Sequence, residues 1–299
     1  MRSQTLAPAE AGEWLEPVSN APAPENRIAL VISDVDGTLL DNNKELTSGA
    51  PEAVERLYQA GIRFTIASAR PPRMVHELVT KLQVREPLAC FNGALFIRPD
   101  ETVLQEIQMS PQDAQQVANF IFQQGFDLWV WTDSDWFVSN PSGPHVAGHE
   151  MQMGRKATSL TTRDMSHFRV LKLVGVSDNH DALAKAEAYL ATNGSRTISG
   201  TRSSPYYLDV TDARANKGEV VLRISEMLRV PTPQIATIGD MTTDTFMFRK
   251  SGVSIAMGNA LDDVKAQAKF VTKTNEENGF AYAMDHIVLG VASPRVAAD

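Results

Sequence analysis

Val31-Ile32-Ser33-Asp34-Val35-Asp36-Gly37-Thr38-Leu39-Leu40, reached through an apolar run from Ile28, is the stretch on which the reading of this chain turns. An unbroken apolar run that ends in two carboxylates and a Gly-Thr turn predicts a buried parallel strand whose carboxyl end opens into a ligand crevice. In an extended segment Asp34 and Asp36 point the same way. Two acids side by side repel each other, and the remedies are a bound cation, a shared proton or a basic partner. On its own the pattern equally describes a strand closed by a carboxylate-stabilised turn, so the decision rests on what the neighbouring segments bring beside it.

Outward from this strand, Thr47 and Ser48 offer N-caps for a helix over 51–58, with Gly61 as its stop. A second strand over 62–67 ends in Ser68-Ala69-Arg70, and Pro71 and Pro72 suit the first turn of a helix over 73–82. A third strand over 88–91 ends in Asn92-Gly93-Ala94. Strand and helix in alternation predict an α/β fold with a Rossmann-like, doubly wound parallel sheet. From about residue 108 the texture changes. A helix over 111–124 precedes an antiparallel hairpin rich in aromatics (128–132 and 136–138), and 139–155 reads as loop or short helix. A strand over 170–176, a helix over 181–192 and two further strands at 197–199 and 206–210 complete an α+β block. The βα grammar then resumes: Asn216 caps a helix over 217–229, a strand over 234–238 ends in Gly239-Asp240, and a strand over 253–257 ends in Gly258-Asn259-Ala260. The expected organisation is a core made of 27–108 and 207–290 with an α+β domain, 109–206, inserted in it. A disordered tail, 1–26, and a short tail, 291–299, flank these.

Composition narrows the function. The 299 residues carry a net charge of -8, which leaves no basic stripe for a nucleic acid. The single Cys90 excludes an internal disulfide and fits a reducing, cytoplasmic setting; within Leu88-Ala89-Cys90-Phe91 it reads as buried filler. No apolar run is long enough for a membrane span, and residues 1–26, with four prolines and scattered acids, resemble neither a signal nor a transit peptide.

The residues able to do chemistry sit where predicted strands end, the edge at which parallel sheets bind ligands. They are Asp34 and Asp36 after the first strand, Ser68 after the second, Lys217 at a helix start, and Asp240 and Asp244 after the strand over 234–238. Carboxylates gathered there favour a hard divalent cation such as Mg²⁺. Ser68, nearby backbone amides and the Lys217 ammonium would supply donors and positive charge for a phosphate. Singly, Lys217 reads better as a solvated helix-start lysine and Asp240 as an N-cap. Arg70 reads slightly better as an ion-pair partner than as a substrate contact. Asn92 and Asn259 at strand ends either face the crevice or merely turn the chain. The hairpin aromatics Trp129, Trp131, Trp136 and Phe137 should alternate, about half of them in the core, with Trp131 or Asp133 at the mouth of the site. His145 and His149, four apart, read better as surface residues than as a zinc pair.

DVDGTLL (34–40), ASAR (67–70), NKG (216–218) and GDMTTD (239–244), in that order and with a large insert between the second and third, resemble the four motifs of the haloacid dehalogenase-like (HAD) phosphatases. The insert after Asn92-Gly93, together with Ala256-Met257-Gly258-Asn259-Ala260 and Asn275-Glu276-Glu277-Asn278-Gly279, is similar to the Cof-type subfamily with a large class IIB α+β cap. The resemblance covers about 27–290. It implies that Asp34 is a nucleophile forming an aspartyl-phosphate and that Asp36 is the general acid and base. It further implies Mg²⁺ held by Asp34, the Asp36 carbonyl and Asp240, with Asp244 orienting Lys217 and reaching a metal water. Ser68, Ala69, Lys217, Asn92 and Gly93 would lie against phosphate or substrate. Two departures stand out: Ala69 replaces the usual glycine of the second motif, and Thr243 the usual asparagine of the fourth. The implied activity is hydrolysis of phosphomonoesters of small metabolites, sugar phosphates or related, by a monomer or homodimer without nucleic-acid or membrane partners. A sugar phosphomutase and a weakened regulatory protein on the same fold are the alternatives.

Overall fold

The computed structural model describes residues 27–292. β1 (Leu30–Ser33) is buried along its whole length. After it come α1 (Ala50–Gln59), β2 (Arg63–Ile66), α2 (Pro72–Lys81) and the short β3 (Leu88–Cys90). β4 (Leu95–Ile97) and β5 (Val103–Glu106) follow. The next block holds α3 (Pro111–Gln123), β6 (Asp127–Trp131), β7 (Trp136–Val138), α4 (Val146–Met153), β8 (Thr158–Ser159), β9 (Lys172–Val176), α5 (His180–Asn193), β10 (Ile198–Ser204) and β11 (Tyr207–Asp212). The chain then returns through α6 (Lys217–Leu228), β12 (Ile235–Gly239), α7 (Thr245–Phe248), β13 (Val253–Ala256), α8 (Asp262–Lys265), β14 (Phe270–Val271), α9 (Gly279–Ala283) and α10 (Leu289–Ala292). The expected N-terminal tail, and 293–299 of the C-terminal one, lie outside the described residues.

One five-stranded parallel sheet runs in the order β14-β13-β12-β1-β2. β1 pairs with β2 on one side and β12 on the other, so strand order reverses between them and a crevice opens at their carboxyl ends. β1 and β12 are buried throughout because helices cover both faces, which is why their sequences are continuously apolar. The fold class expected from the sequence is the one observed. β3 departs from a plain third parallel strand. It touches the main sheet through one parallel bridge, Ala67 to Ala89, and pairs antiparallel with β4, which pairs with β5. The start of α1 also differs: neither Thr47 nor Ser48 caps it. Pro51 removes one orphan donor, and the Gly49 N–H donates instead to Asn278 Oδ1 from the far end of the chain (3.1 Å).

The second sheet, β10-β11-β9-β6-β7-β8, takes in β11 beyond residue 206. Strand alternation gives it two faces. Leu128, Val130, Leu173, Leu208 and Val210 pack beneath α3 and α5 in their own hydrophobic cluster. Trp129, Trp131, Lys172, Val174, Tyr207 and Asp209 occupy the alternate positions, and this face looks toward the carboxyl ends of the parallel strands. Both faces are therefore covered: Trp129, Trp131 and Trp136 are all at least 97% buried, more than the half expected of an ordinary hairpin. Cys90 is fully buried, as expected. Among the described residues no helix is long and apolar enough to cross a membrane.

Candidate active site

β1 delivers Asp34 into the crevice with 5% of its surface exposed. Its backbone N–H donates to Ile238 O (3.0 Å), continuing the ladder to β12 and fixing the carboxylate beside that strand's end. α6 brings Lys217, because Asn216 caps the helix by accepting from the Glu219 N–H (3.0 Å), as read from the sequence. The buried Lys217 ammonium donates to Asp34 Oδ1 (2.5 Å) and Asp244 Oδ1 (2.6 Å). Asp244 is fully buried, and its Oδ2 accepts from the backbone N–H groups of Asp240 (3.0 Å) and Met241 (2.8 Å), locking the turn after β12. Two glycines leave room for this arrangement. Gly37 has φ +77°, and a Cβ there would stand 2.3 Å from Asp240 Oδ2; at Gly239 a Cβ would stand 2.3 Å from the Asp244 carboxyl carbon.

Asp34, Asp240 and Asp244 each present a carboxylate oxygen, all within 4.8 Å of one another. Among the described residues a single ammonium, Lys217, faces these three carboxylates. Burial pushes the Asp34 and Asp240 carboxyls well above the usual range; the Asp244 charge adds to this, while Lys217 opposes it. Asp240 Oδ1 is buried with no hydrogen-bond partner among the described residues. An unpartnered oxygen in an under-neutralised carboxylate cluster fits a hard divalent cation, which takes oxygen ligands.

Asp36 turns away from this cluster. Arg70 grips it with two parallel hydrogen bonds, Nε to Oδ2 and Nη2 to Oδ1, both 2.7 Å, and Lys44 Nζ adds a third at 3.0 Å. Burial alone would raise this carboxyl, but the Arg70 bonds and charge, with Lys44, outweigh it and hold Asp36 at about 2. The ion-pair reading of Arg70 is thus the one seen. Ser68 is buried, and its Oγ accepts from the Arg70 N–H (3.1 Å), leaving its own hydrogen free to donate. Ala69 lines the cavity and its carbonyl accepts from Lys172 Nζ (3.2 Å). Asn92, at φ +56°, also lines the cavity with a buried, unpartnered Oδ1. Gly93 does not line it. It allows α6 to approach, since a Cβ would meet Val220 Cγ2 at 2.7 Å. Thr243 stands on the cavity wall.

A sequence profile of the haloacid dehalogenase-like hydrolases matches residues 31–284. The chain belongs to this family. Within the HAD hydrolases it is similar to the 5-amino-6-(5-phospho-D-ribitylamino)uracil phosphatase YwtE of Bacillus subtilis (strain 168). The two are 26% identical over 282 residues, spanning 86% of this chain and 97% of that one. Among solved structures, BT1666 of Bacteroides thetaiotaomicron, described among the phosphatases of the superfamily, superposes with a TM-score of 0.76 at 24% identity, over 91% of this chain and 100% of that one. BT4131, described as a HAD subclass IIB sugar phosphatase, gives 0.76 at 22% identity over 88% and 99%. At such identities the superpositions establish the fold, and their coverage extends it over the inserted sheet, the cap. The family and the enzyme class expected from the motifs are those found.

The roles of several residues around the site are not decided by the sequence. Asn259 Nδ2 donates to Gly37 O (2.9 Å) and Asp240 Oδ2 (3.3 Å), tying the first and fourth motifs together. From the cap, Lys172 and Asp209 reach the cavity as a buried ion pair (3.0 Å). His149, read as a surface residue, is instead packed against Trp129, Trp131 and Trp136 at ring-centroid distances of 4.9–5.5 Å. His145 stacks on Tyr206 and pairs with Asp178 (2.8 Å). Asp133 lines a different groove, beside α2. For the cap residues the available signal was the period of two along β6, β9 and β11, which names their shared face but not what it confronts.

Proposed function

We propose that this HAD hydrolase is a Mg²⁺-dependent phosphatase of small phosphorylated metabolites working through an aspartyl-phosphate on Asp34. The observation that carries the reading is the buried Asp34–Lys217–Asp244 chain of hydrogen bonds with the unpartnered Asp240 Oδ1 beside it. Asp34, Asp240 and the Asp36 carbonyl would hold the metal, with Asp244 behind them. Bound there, Mg²⁺ supplies Lewis-acid neutralisation of the phosphate and relieves repulsion among the carboxylates.

In the first step an Asp34 oxygen forms a bond to phosphorus as the bond from phosphorus to the leaving oxygen breaks, and Asp36 gives that oxygen its proton. Water then takes Asp34's place on phosphorus, with Asp36 receiving the water's proton. Lys217 favours the ionised form of Asp34 against the effect of burial and lies against developing phosphoryl charge. Ser68 donates its hydroxyl hydrogen to a phosphoryl oxygen, and the Asn92 side chain lies on the substrate side of the site. The grip of Arg70 keeps Asp36 in the ionised state that the second step needs; for the first step that grip must loosen. The chain divides accordingly into a core and a cap, with the cap taken to run from about 109 to the end of β11. The similarity to YwtE, named for a phosphorylated ribitylaminouracil, supports a metabolite substrate.

The test is phosphate release from a panel of phosphometabolites with Mg²⁺. Asp34→Asn should lower release about 10³-fold or more, and EDTA should abolish it. Release that survives Asp34→Asn, or that ignores EDTA, overturns the reading.

A further inference from the structure

The cavity between cap and core has a volume of about 340 Å³, the size of a pocket for a small organic molecule. Two properties of its wall bear on what the cap end holds. The first is charge. Among the described residues that line it, each lysine and arginine already has an acidic partner. Lys44 and Arg70 pair with Asp36, Lys172 with Asp209, Arg202 with Glu187, and Lys217 with Asp34 and Asp244. At the cap end the Lys172–Asp209 pair is nearly inaccessible, with side chains 8% and 3% exposed, so its charges cancel where solvent does not screen them. His149 adds none: burial, with Lys172 and Arg70 nearby, lowers it to about 4.

The second property is a closed aromatic wall. Trp129, Trp131 and His149 line the cavity, but their ring nitrogens Nε1, Nε1 and Nε2 are themselves buried behind that surface, so what the rings present to the cavity is carbon and no charge.

We propose that the organic part of the substrate is an uncharged group packed against Trp129 and Trp131, and that the closed Lys172–Asp209 pair rejects substrates with a second anionic group. This rests on the phosphatase reading and adds to it which phosphomonoesters are accepted. Beside the Lys172–Asp209 pair a second phosphate or a carboxylate would be desolvated against a cation whose charge is already cancelled, and such mismatches discriminate strongly.

Matched pairs test this: sorbitol 6-phosphate against 6-phosphogluconate, and pyridoxine 5′-phosphate against 4-pyridoxic acid 5′-phosphate, with p-nitrophenyl phosphate as reporter of the core chemistry. The neutral member of each pair should have the higher kcat/KM by about tenfold or more. Asp209→Asn, which uncovers the Lys172 charge, should shrink or reverse that ratio. If the wild type turns over charged and neutral members equally while hydrolysing p-nitrophenyl phosphate, the inference falls and the phosphatase reading stands. If the reporter is not hydrolysed either, both fall. Should Asp209→Asn fail to fold, the wild-type ratios decide alone.

Discussion

His149 lies against three tryptophans, with Lys172 and Arg70 adding positive charge around it, and its proton affinity falls to about 4 against an ordinary 6.5. The unfolded chain therefore binds a proton here at higher pH than the folded one does. Stability from the neutral, packed ring is fully present above about pH 6.5 and is lost as pH falls toward 4, by roughly 2–3 kcal/mol. Urea midpoints measured between pH 7 and 4.5 should fall more steeply for the wild type than for His149→Gln; parallel slopes would show that the ring does not titrate in this way. Nothing in Gly-His-Glu foretells this, because the depression comes from burial against the tryptophans of β6 and β7 and from the Lys172 and Arg70 charges, which reach His149 only in the folded protein. The acids and the lysine of the site were readable, since each ends a strand or opens a helix within a short motif. Asn259 was ambiguous for the opposite reason: its partners, Gly37 and Asp240, come from two other loops.

α6 shows how one helix start sets a functional distance. Asn216 accepts from the Glu219 N–H (3.0 Å) and donates to Ala213 O (2.9 Å), so the first turn, and Lys217 with it, is pinned where the chain leaves the cap. Asn216→Ala should cost about 1 kcal/mol of stability. It should also lower kcat for p-nitrophenyl phosphate, because the ammonium loses its fixed approach to Asp34. Asn216→Asp, which keeps the capping acceptor, should restore most of both, and a variant that loses stability but keeps kcat would separate the cap from Lys217. The long elements of the core were legible from apolar runs punctuated by glycine and proline. β4 and β5, of three and four residues, were not, because runs so short carry no periodicity. β3 was placed in the parallel sheet by its position after a helix, yet its ladder partner is β4, reached through a turn at Asn92-Gly93. The tryptophans of β6 and β7 mark a strand clearly, but only the opposing core explains why both faces of that sheet are buried.

At the scale of the whole molecule, the crevice that the fold creates at the ends of β1 and β12 is also where it stores repulsion. Among the described residues, three buried or half-buried carboxylates crowd round one ammonium, which bonds Asp34 and Asp244, and Asp240 Oδ1 has no donor. Leaving an oxygen desolvated and unpaired among like charges lowers the stability of the metal-free protein. Replacing Asp240 by asparagine removes, at nearly constant shape, a carboxyl whose ionisation burial and the neighbouring carboxylates oppose, and supplies two N–H donors to the same space. In EDTA the Asp240→Asn protein should therefore be more stable than the wild type, by about 1–2 kcal/mol. Adding Mg²⁺ should reverse the order. A ligand that binds only the folded state stabilises it by about 2.7 kcal/mol at a hundred times its dissociation constant, and the variant has lost a ligand oxygen with which to gain it. Thermal melts of both proteins across a Mg²⁺ titration read the crossing directly. Curves that never cross, with the wild type more stable even in EDTA, would mean that the carboxylates are neutralised within the chain and that the cluster is structural. A crossing shows that the sheet edge holds its acids at the expense of stability, and that the cation completes the fold as well as the site.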